Sequence, residues 1–291
     1  MDLSKIIKIE PIRKGWSGDR KYRLTYENGA SYFLRLVSRK KEDRLRELFR
    51  LEEELFSRGL AMARPIEIGE AEEGCYIIES WINGKSAEKE LPRLSHIDQF
   101  NYGLEAGDML RLIHSLPGPA DLPSWQQRFN AKIDRKIRMY KDCSLKIEGD
   151  GYFLDYIDNN RQLLNGRPQC FQHGDYHVGN MMFEDGRLVI IDFDRFDYGD
   201  PWEEFNRIVW SAQASPAFAS GLVEGYFKGE IPEEFWRLLA LYISSNALSA
   251  LAWAIDFGEG EIATMKNQAE DILVWYKNMD CFIPSWYNKE K

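Results

Sequence analysis

Residues 171–194 read FQHGDYHVGNMMFEDGRLVIIDFD, a run that sets Asp175, Asn180 and Asp192 at short, ordered intervals around an apolar hairpin. Oxygens in this pattern suit two tasks. Asp175 can orient a hydroxyl group and take its proton, while the neutral oxygen of Asn180 and the carboxylate of Asp192 can share one hard cation. The Asp185-Gly186 pair marks a tight turn whose second strand would bring Asp192 back beside Asn180. A base, two oxygen ligands and a phosphate-covering loop are nearly all that phosphoryl transfer needs, because that reaction runs mainly on positioning and charge neutralisation.

The flanking chain must supply the scaffold. Residues 5–37 alternate in strand-like runs, KIIKIEPI, KYRLTYE and SYFLRLV, the last two joined by the Asn28-Gly29 turn pair. Leu45, Leu48, Leu51 and Leu55 then recur at helix spacing before Gly59, which predicts an amphipathic helix with a glycine stop. PIEIGEA and CYIIESWI read as two more strands, and the pattern changes near Asn83-Gly84. Beyond residue 95 it is mostly helical, in FNYGLEAGDMLRLIHSLP, NAKIDRKIRMYKDC, GYFLDYIDNNRQLL and the stretches 202–228, 233–257 and 261–280. An α+β chain is expected, with a small antiparallel-sheet section carrying one helix over residues 1–83 and a larger, mainly helical section over 84–291.

Charge and composition narrow the functional classes. Residues 1–79 hold 16 Lys and Arg against 15 Asp and Glu, and the remainder 22 against 32, so the net charge of −9 sits in the later part. Such a surface repels nucleic acid and favours a cationic small molecule as partner. The N-terminal MDLSKIIKIEPIRKG has no apolar core of the signal-peptide kind. Residues 240–255 are shorter than the roughly 20 apolar residues of a membrane span and read as a buried helix. Cys75, Cys143, Cys170 and Cys281 lie far apart with no CxxC pair, which fits a reducing, cytoplasmic setting.

HGDYHVGN followed by IDFD resembles the aminoglycoside phosphotransferase and choline kinase group of protein-kinase-like enzymes, whose usual pattern is HGDxHxxN, a hydrophobic strand, and IDF or IDW. The strand and helix order of residues 5–82 is likewise the order of that group's nucleotide-binding lobe. The resemblance implies a two-lobed, protein-kinase-like fold in which Asp175 is the catalytic base and Asn180 and Asp192 bind Mg²⁺. ATP or GTP would be the phosphoryl donor. His173 and His177 are expected to brace the loop. KGWSGDRKY would cover the phosphates through Gly15, Ser17 and Gly18, and Arg35 stands where family members usually carry the phosphate-pairing Lys. Its helix partner is expected among Glu47, Glu52, Glu53 and Glu54, with Glu47 preferred. Glu79, Ser80 and Trp81 would contact adenine through their backbone. GDPWEEF resembles the family's GDPxxDLA and gives Glu204 a role in steadying the catalytic loop.

Few residues separate IDFD from GDP, leaving no long activation segment, which argues for a small hydroxyl-bearing substrate over a protein. Asp197, Asp200 and Glu203 are candidates for a pocket that takes ammonium groups. An aminoglycoside or related antibiotic is the favoured acceptor. A metabolite such as choline, homoserine, a sugar or a glycated amine remains an alternative, as does a nucleotide-binding regulator with impaired turnover. No nucleic-acid or membrane partner is expected.

Overall fold

The computed structural model describes residues 2–13, 18–72 and 74–288. It divides into two compact units, Met1–Ala87 with Asn180–Phe193, and Glu88–Gly179 with Asp194–Lys291.

In the first unit, strands β1 (Ile6–Ile12), β2 (Arg20–Tyr26) and β3 (Ser31–Ser38) precede helix α1 (Glu42–Ser57) and strands β4 (Pro65–Ala71) and β5 (Gly74–Ser80). They form a five-stranded antiparallel sheet in the order β1-β2-β3-β5-β4. Asn28 closes the β2–β3 hairpin by accepting the Ala30 N–H at 3.0 Å, and the resulting register sets Lys21 directly opposite Arg35. Helix α1 covers one sheet face, where Leu45 and Phe49 pack with Val37, Cys75 and Ile77. On the other face Leu24, Tyr26 and Ile78 form a second cluster, as the alternation of a strand requires. The helix also buries one charged residue, Glu52, among its leucines.

The first unit also contains β6 (Lys85–Ser86), after which the chain passes into α2 (Ala87–Glu90), α3 (His96–Ile113), α4 (Trp125–Asp142), α5 (Asp150–Asn160) and β7 (Cys170–Gln172). It returns as the hairpin of β8 (Met181–Glu184) and β9 (Arg187–Ile190). Here the structure departs from the expected division at residues 83 and 84, because the hairpin belongs with the first unit. The reason is backbone pairing: β6 pairs with β8, and the Ile190 N–H donates to the Ala61 carbonyl at 2.9 Å.

The second unit continues with β10 (Asp197–Gly199), α6 (Ile208–Ala214), α7 (Pro216–Phe227), α8 (Glu233–Ala254) and α9 (Glu259–Trp275). Strand β10 pairs with β7, giving the stretch that carries Asp175 a firm starting point. Helices α3 and α7 approach so closely that a Cβ on Gly103 or Gly221 would lie 2.3 or 2.2 Å from a backbone carbonyl oxygen of the facing helix. The apolar stretch of Glu233–Phe257 is longer than the 240–255 window and is long and apolar enough to cross a membrane by length and composition alone. Burial decides its role instead. Leu238, Leu239, Leu241, Leu248 and Leu251 on α8 are all fully enclosed, so it is the core helix of this unit.

Candidate active site

Strand β7 ends at Gln172, and the next eight residues hold Asp175 on a loop whose backbone is anchored at nearly every step. The Gly174 N–H donates to Glu204 Oε1 at 2.9 Å and the Tyr176 N–H to the same oxygen at 3.4 Å. The Asp175 N–H donates to Nδ1 of the fully buried His173 at 3.2 Å, the Tyr176 hydroxyl to the Ala106 carbonyl at 2.7 Å, and the Val178 N–H to Ser211 Oγ at 3.1 Å. Glu204 is itself buried, with His114 Nε2 at 3.7 Å from its second oxygen. Its expected role as a brace is thus a matter of two hydrogen bonds to the loop.

Gly174 has φ +83°, and a Cβ there would stand 1.9 Å from the Arg195 carbonyl oxygen. Gly174→Ala therefore strains the backbone and collides with it. The expected cost is about 2 kcal/mol or more of stability, with turnover depressed further because Asp175 is displaced; thermal unfolding and activity of the variant check both, and a protein with wild-type values would refute the geometry.

The carboxylate of Asp175 faces three basic groups: Arg207 Nε at 3.2 Å, His177 Nε2 at 3.7 Å and Arg195 Nη1 at 3.8 Å. Burial alone would raise its pKa. His177 and the guanidinium groups of Arg207 and Arg195 outweigh that and hold the carboxyl well below its usual range. His177 Nδ1 accepts the Gly179 N–H at 3.1 Å, which leaves its proton on Nε2, toward Asp175. So acidic a group stays ionised throughout the neutral range and orients a hydroxyl better than it deprotonates one.

In the first unit, Arg35 on β3 is buried and donates through Nε and Nη2 to Asp19 Oδ2 at 3.1 and 2.8 Å, while Lys41 Nζ holds Asp19 Oδ1 at 2.6 Å. Lys21, opposite Arg35, brings Nζ within 3.8 Å of Asp192 Oδ2. Two carboxylates lie in the same field. Burial, followed by the negative charges of Glu79 and Asp192, pushes Glu52 well above its ordinary range against the opposing pull of Arg35. Glu79 is pushed up to about 7, chiefly by burial, with Arg35 and Lys21 opposing and Asp192 adding to the rise. Glu52 is therefore an α1 carboxylate on which Arg35 acts, beside the preferred Glu47, which is partly exposed. Its alternation within the buried leucine stripe was the available signal.

The expected adenine contacts need revision at two positions. The N–H groups of Ser80 and Trp81 are spent on the carbonyls of Arg64 and Ser31, at 2.9 and 3.3 Å, so those donors serve the strands. The Trp81 ring lies under the Arg23 guanidinium, 4.6 Å from its centroid. Gly15 and Ser17 lie outside the described residues; Gly18 lies within them, next to Asp19.

Asp192 adopts a left-handed φ of +67°, and the Ile191 N–H donates to the Asn180 carbonyl at 3.0 Å, so the two candidate ligands are near neighbours across the base of the hairpin. Among the described residues no group of three or more His, Cys, Asp and Glu is arranged to hold a metal by protein ligands alone. The set nevertheless fits Mg²⁺, which takes one or two protein oxygens and completes its shell with phosphate and water. Glu52 Oε2 is buried without a hydrogen-bond partner, and Asp192 helps raise the pKa of Glu52 and of the half-buried Glu79, so a divalent cation beside Asp192 would relieve repulsion among the three carboxyls.

The raised Glu79 pKa gives a pH signature. A carboxyl whose folded pKa exceeds the ordinary 4.5 contributes stability that is complete below pH 4.5 and is lost as pH rises to about 7. Glu79→Gln removes that loss. The unfolding temperature of the variant should gain on the wild type as pH climbs through this window, and parallel curves would count against the assignment.

Asp197, Asp200 and Glu203 are placed differently from the expected ammonium pocket. Asp200 is fully buried, paired with Arg167 Nε and Nη2 at 2.8 and 2.9 Å, and accepts the Tyr242 hydroxyl at 2.6 Å. Glu203 is buried with Lys132 Nζ at 2.9 Å, and burial, which raises its pKa, is outweighed by Lys132 and Lys136. Asp197 is exposed and accepts its neighbour's N–H, from Tyr198, at 2.8 Å. Two of the three are thus internal ties whose partners, Arg167 and Lys132, lie too far away in sequence to be matched by spacing.

Residues 8–239 match the phosphotransferase enzyme family. Among solved structures, the chain is similar to a thermostable mutant of aminoglycoside phosphotransferase APH(4)-Ia, with 18% identity over 94% of this chain and 96% of that one and a TM-score of 0.67. Another structure of that enzyme, a ternary complex with ADP and hygromycin B, gives 18% identity, 93% and 95% coverage and a TM-score of 0.66. A choline/ethanolamine kinase family protein from Mesorhizobium loti gives 14%, 96% and 92%, and 0.68. The GDP complex of an aminoglycoside 2'-phosphotransferase-IIIa mutant gives 14%, 97% and 95%, and 0.69. No curated protein sequence matches the chain.

Proposed function

The chain belongs to the phosphotransferase enzyme family and has its kinase-like α+β fold, and from that premise we propose that it transfers the γ-phosphoryl group of ATP or GTP to a hydroxyl of a small molecule. The observation that carries this reading is the Asp175 loop, whose carboxylate is kept ionised by Arg207, His177 and Arg195 while Glu204 fixes the backbone on both sides. Asp175 orients the acceptor hydroxyl. The acceptor oxygen forms a bond to the γ-phosphorus, the bond from that phosphorus to the β–γ bridging oxygen breaks, and the nucleoside diphosphate leaves with the electron pair. The hydroxyl proton passes to Asp175 and then to solvent, late in a loose transition state.

Asn180 and Asp192 are the residues that would hold Mg²⁺, which when bound offsets charge on the phosphates. Lys21 and Arg35 lie beside each other on β2 and β3 as cations for the same phosphates, with Arg35 exchanging Asp19 for phosphate when nucleotide enters. ADP and GDP in the similar enzymes support a purine nucleotide donor. The free cysteines, three of them buried, suit a reducing compartment such as the cytoplasm.

The test is Mg²⁺-dependent ADP or GDP release across aminoglycosides, related antibiotics, choline, homoserine and sugars. Hygromycin B bound to APH(4)-Ia supports including the first group. Release that rises with a hydroxylated compound and not with its deoxy analogue is the expected result; absence of nucleotide binding would sink the proposal.

A further inference from the structure

Glu203–Arg207 form a short 3₁₀ turn that leads into α6. Side chains three residues apart are eclipsed in such a turn, so Glu204 and Arg207 project from one face. Glu204 accepts the Gly174 and Tyr176 N–H groups, and Arg207 brings Nε to 3.2 Å from Asp175 Oδ1. One turn thus fixes the backbone on both sides of Asp175 and sets a guanidinium at its carboxylate.

That guanidinium is not used as an ordinary tie. Arg167 grips Asp200 with two hydrogen bonds, at 2.8 and 2.9 Å. Arg207 meets Asp175 in a geometry that makes no hydrogen bond, and it donates none to any other described residue. Its N–H donors are uncommitted in a side chain only 24% exposed, yet none of its nitrogens is sealed from solvent. The other two bases are placed differently. His177 is held by the Gly179 N–H on Nδ1 and by the Trp210 ring, whose centroid is 5.9 Å from its own. Arg195 stands further off, at 3.8 Å, with its side chain 45% exposed. Unspent donors in a partly buried side chain are costly, and their place beside the reactive carboxylate suits a ligand that arrives with the substrates.

The reaction itself says which ligand. The acceptor hydroxyl hydrogen-bonds Asp175 while its oxygen stands against the γ-phosphorus, which puts the transferred group within roughly 6 Å of the carboxylate. We propose that Arg207 is a catalytic residue that turns from Asp175 to the transferred phosphoryl group and donates to its equatorial oxygens. This rests on the kinase reading above and deepens it. As the bond from the acceptor oxygen to phosphorus forms, the bond to the β–γ bridging oxygen breaks and its electron pair leaves on the nucleoside diphosphate. The hydroxyl proton passes to Asp175, and Arg207 keeps its own protons. Neutralising Asp175 removes the anion that held Arg207, while negative charge is spread over the equatorial oxygens, so the pull on the guanidinium shifts from carboxylate to phosphoryl group.

Aluminium fluoride, which with Mg²⁺ and a nucleoside diphosphate mimics a phosphoryl group in transfer, is the probe. Calorimetric titration of the full chain with ADP and with GDP, with and without fluoride, reads the affinity that the mimic adds. The wild type should gain at least about tenfold, and Arg207→Gln should lose most of that gain while its affinity for the diphosphate alone stays within about threefold. Arg207→Lys keeps the charge without the fork; it should fall between the two and decides the matter if the Gln variant does not fold. The same loss should appear when Arg207→Gln is combined with Asp175→Asn, because a residue acting only through Asp175 has no effect once that carboxylate is gone. Absence of any gain in the wild type, a gain undiminished in either Arg207 variant, or a loss that disappears in the Asp175→Asn background overturns the inference. Failure of the wild type to bind either diphosphate overturns the kinase reading itself, and the two failures are thereby told apart.

Discussion

Asp175→Asn should lower turnover by about two to four orders of magnitude while leaving nucleotide affinity within about threefold of the wild type. The substitution keeps the shape of the side chain and removes its charge. The hydroxyl of the acceptor then loses the acceptor of its proton, and Arg207 and Arg195 lose the anion they flank at 3.2 and 3.8 Å. A group held below its usual pKa stabilises the folded chain at pH values above the unfolded carboxyl's 3.8, and that contribution fades as pH falls further. Asp175→Asn therefore also lowers stability near neutral pH, with the difference from wild type shrinking in acid. Steady-state kinetics beside unfolding curves at several pH values check both halves. Retention of more than about a tenth of the activity would show that hydroxyl orientation is not this residue's task.

The same loop shows what spacing can and cannot convey. HGDYHVGN and IDFD are local strings, so the approach of Asn180 and Asp192 across the hairpin was legible, as was Glu204 as a brace of the Asp175 loop. The α+β class followed equally from periodicity, because strand alternation and the leucine repeat of α1 are local properties as well. Partners set by tertiary approach were not. Asp200 and Glu203 read as surface acids because Arg167 and Lys132, which enclose them, stand 33 and 71 residues earlier in the chain. Lys21 is an intermediate case: a two-residue turn at Asn28-Gly29 would set Leu36 opposite it, and the observed register, centred on Asn28, sets Arg35 there instead. Glu52 is another, since it stands four residues after Leu48 and three before Leu55 and so shares their buried face of α1, unlike Glu53 and Glu54. The hairpin of β8 and β9 was recognised, while its membership of the first unit depends on β6 and Ala61, contacts no local pattern encodes.

Asp192→Asn should abolish most turnover, by about three orders of magnitude, and yet raise the unfolding temperature by roughly 1–3 °C near neutral pH. The loss follows from removing a charged oxygen from the set that would hold Mg²⁺. The gain follows from the carboxylate cluster. Asp192 adds to the burial that keeps Glu52 and Glu79 reluctant to ionise, and neutralising it lets both lower their pKa and lessens the destabilisation each contributes as pH rises. Lost attraction to Lys21, 3.8 Å away, opposes this gain and keeps the net rise small, with solvent screening it on the Asp192 side, where the side chain is 40% exposed. Asn also accepts the left-handed φ of +67° as readily as Asp, so no backbone strain is introduced. Stability rising while activity falls is the mark of charge concentrated for binding at the expense of the fold. A variant that loses both together would instead make Asp192 a structural residue, and one that keeps its activity would remove it from the site.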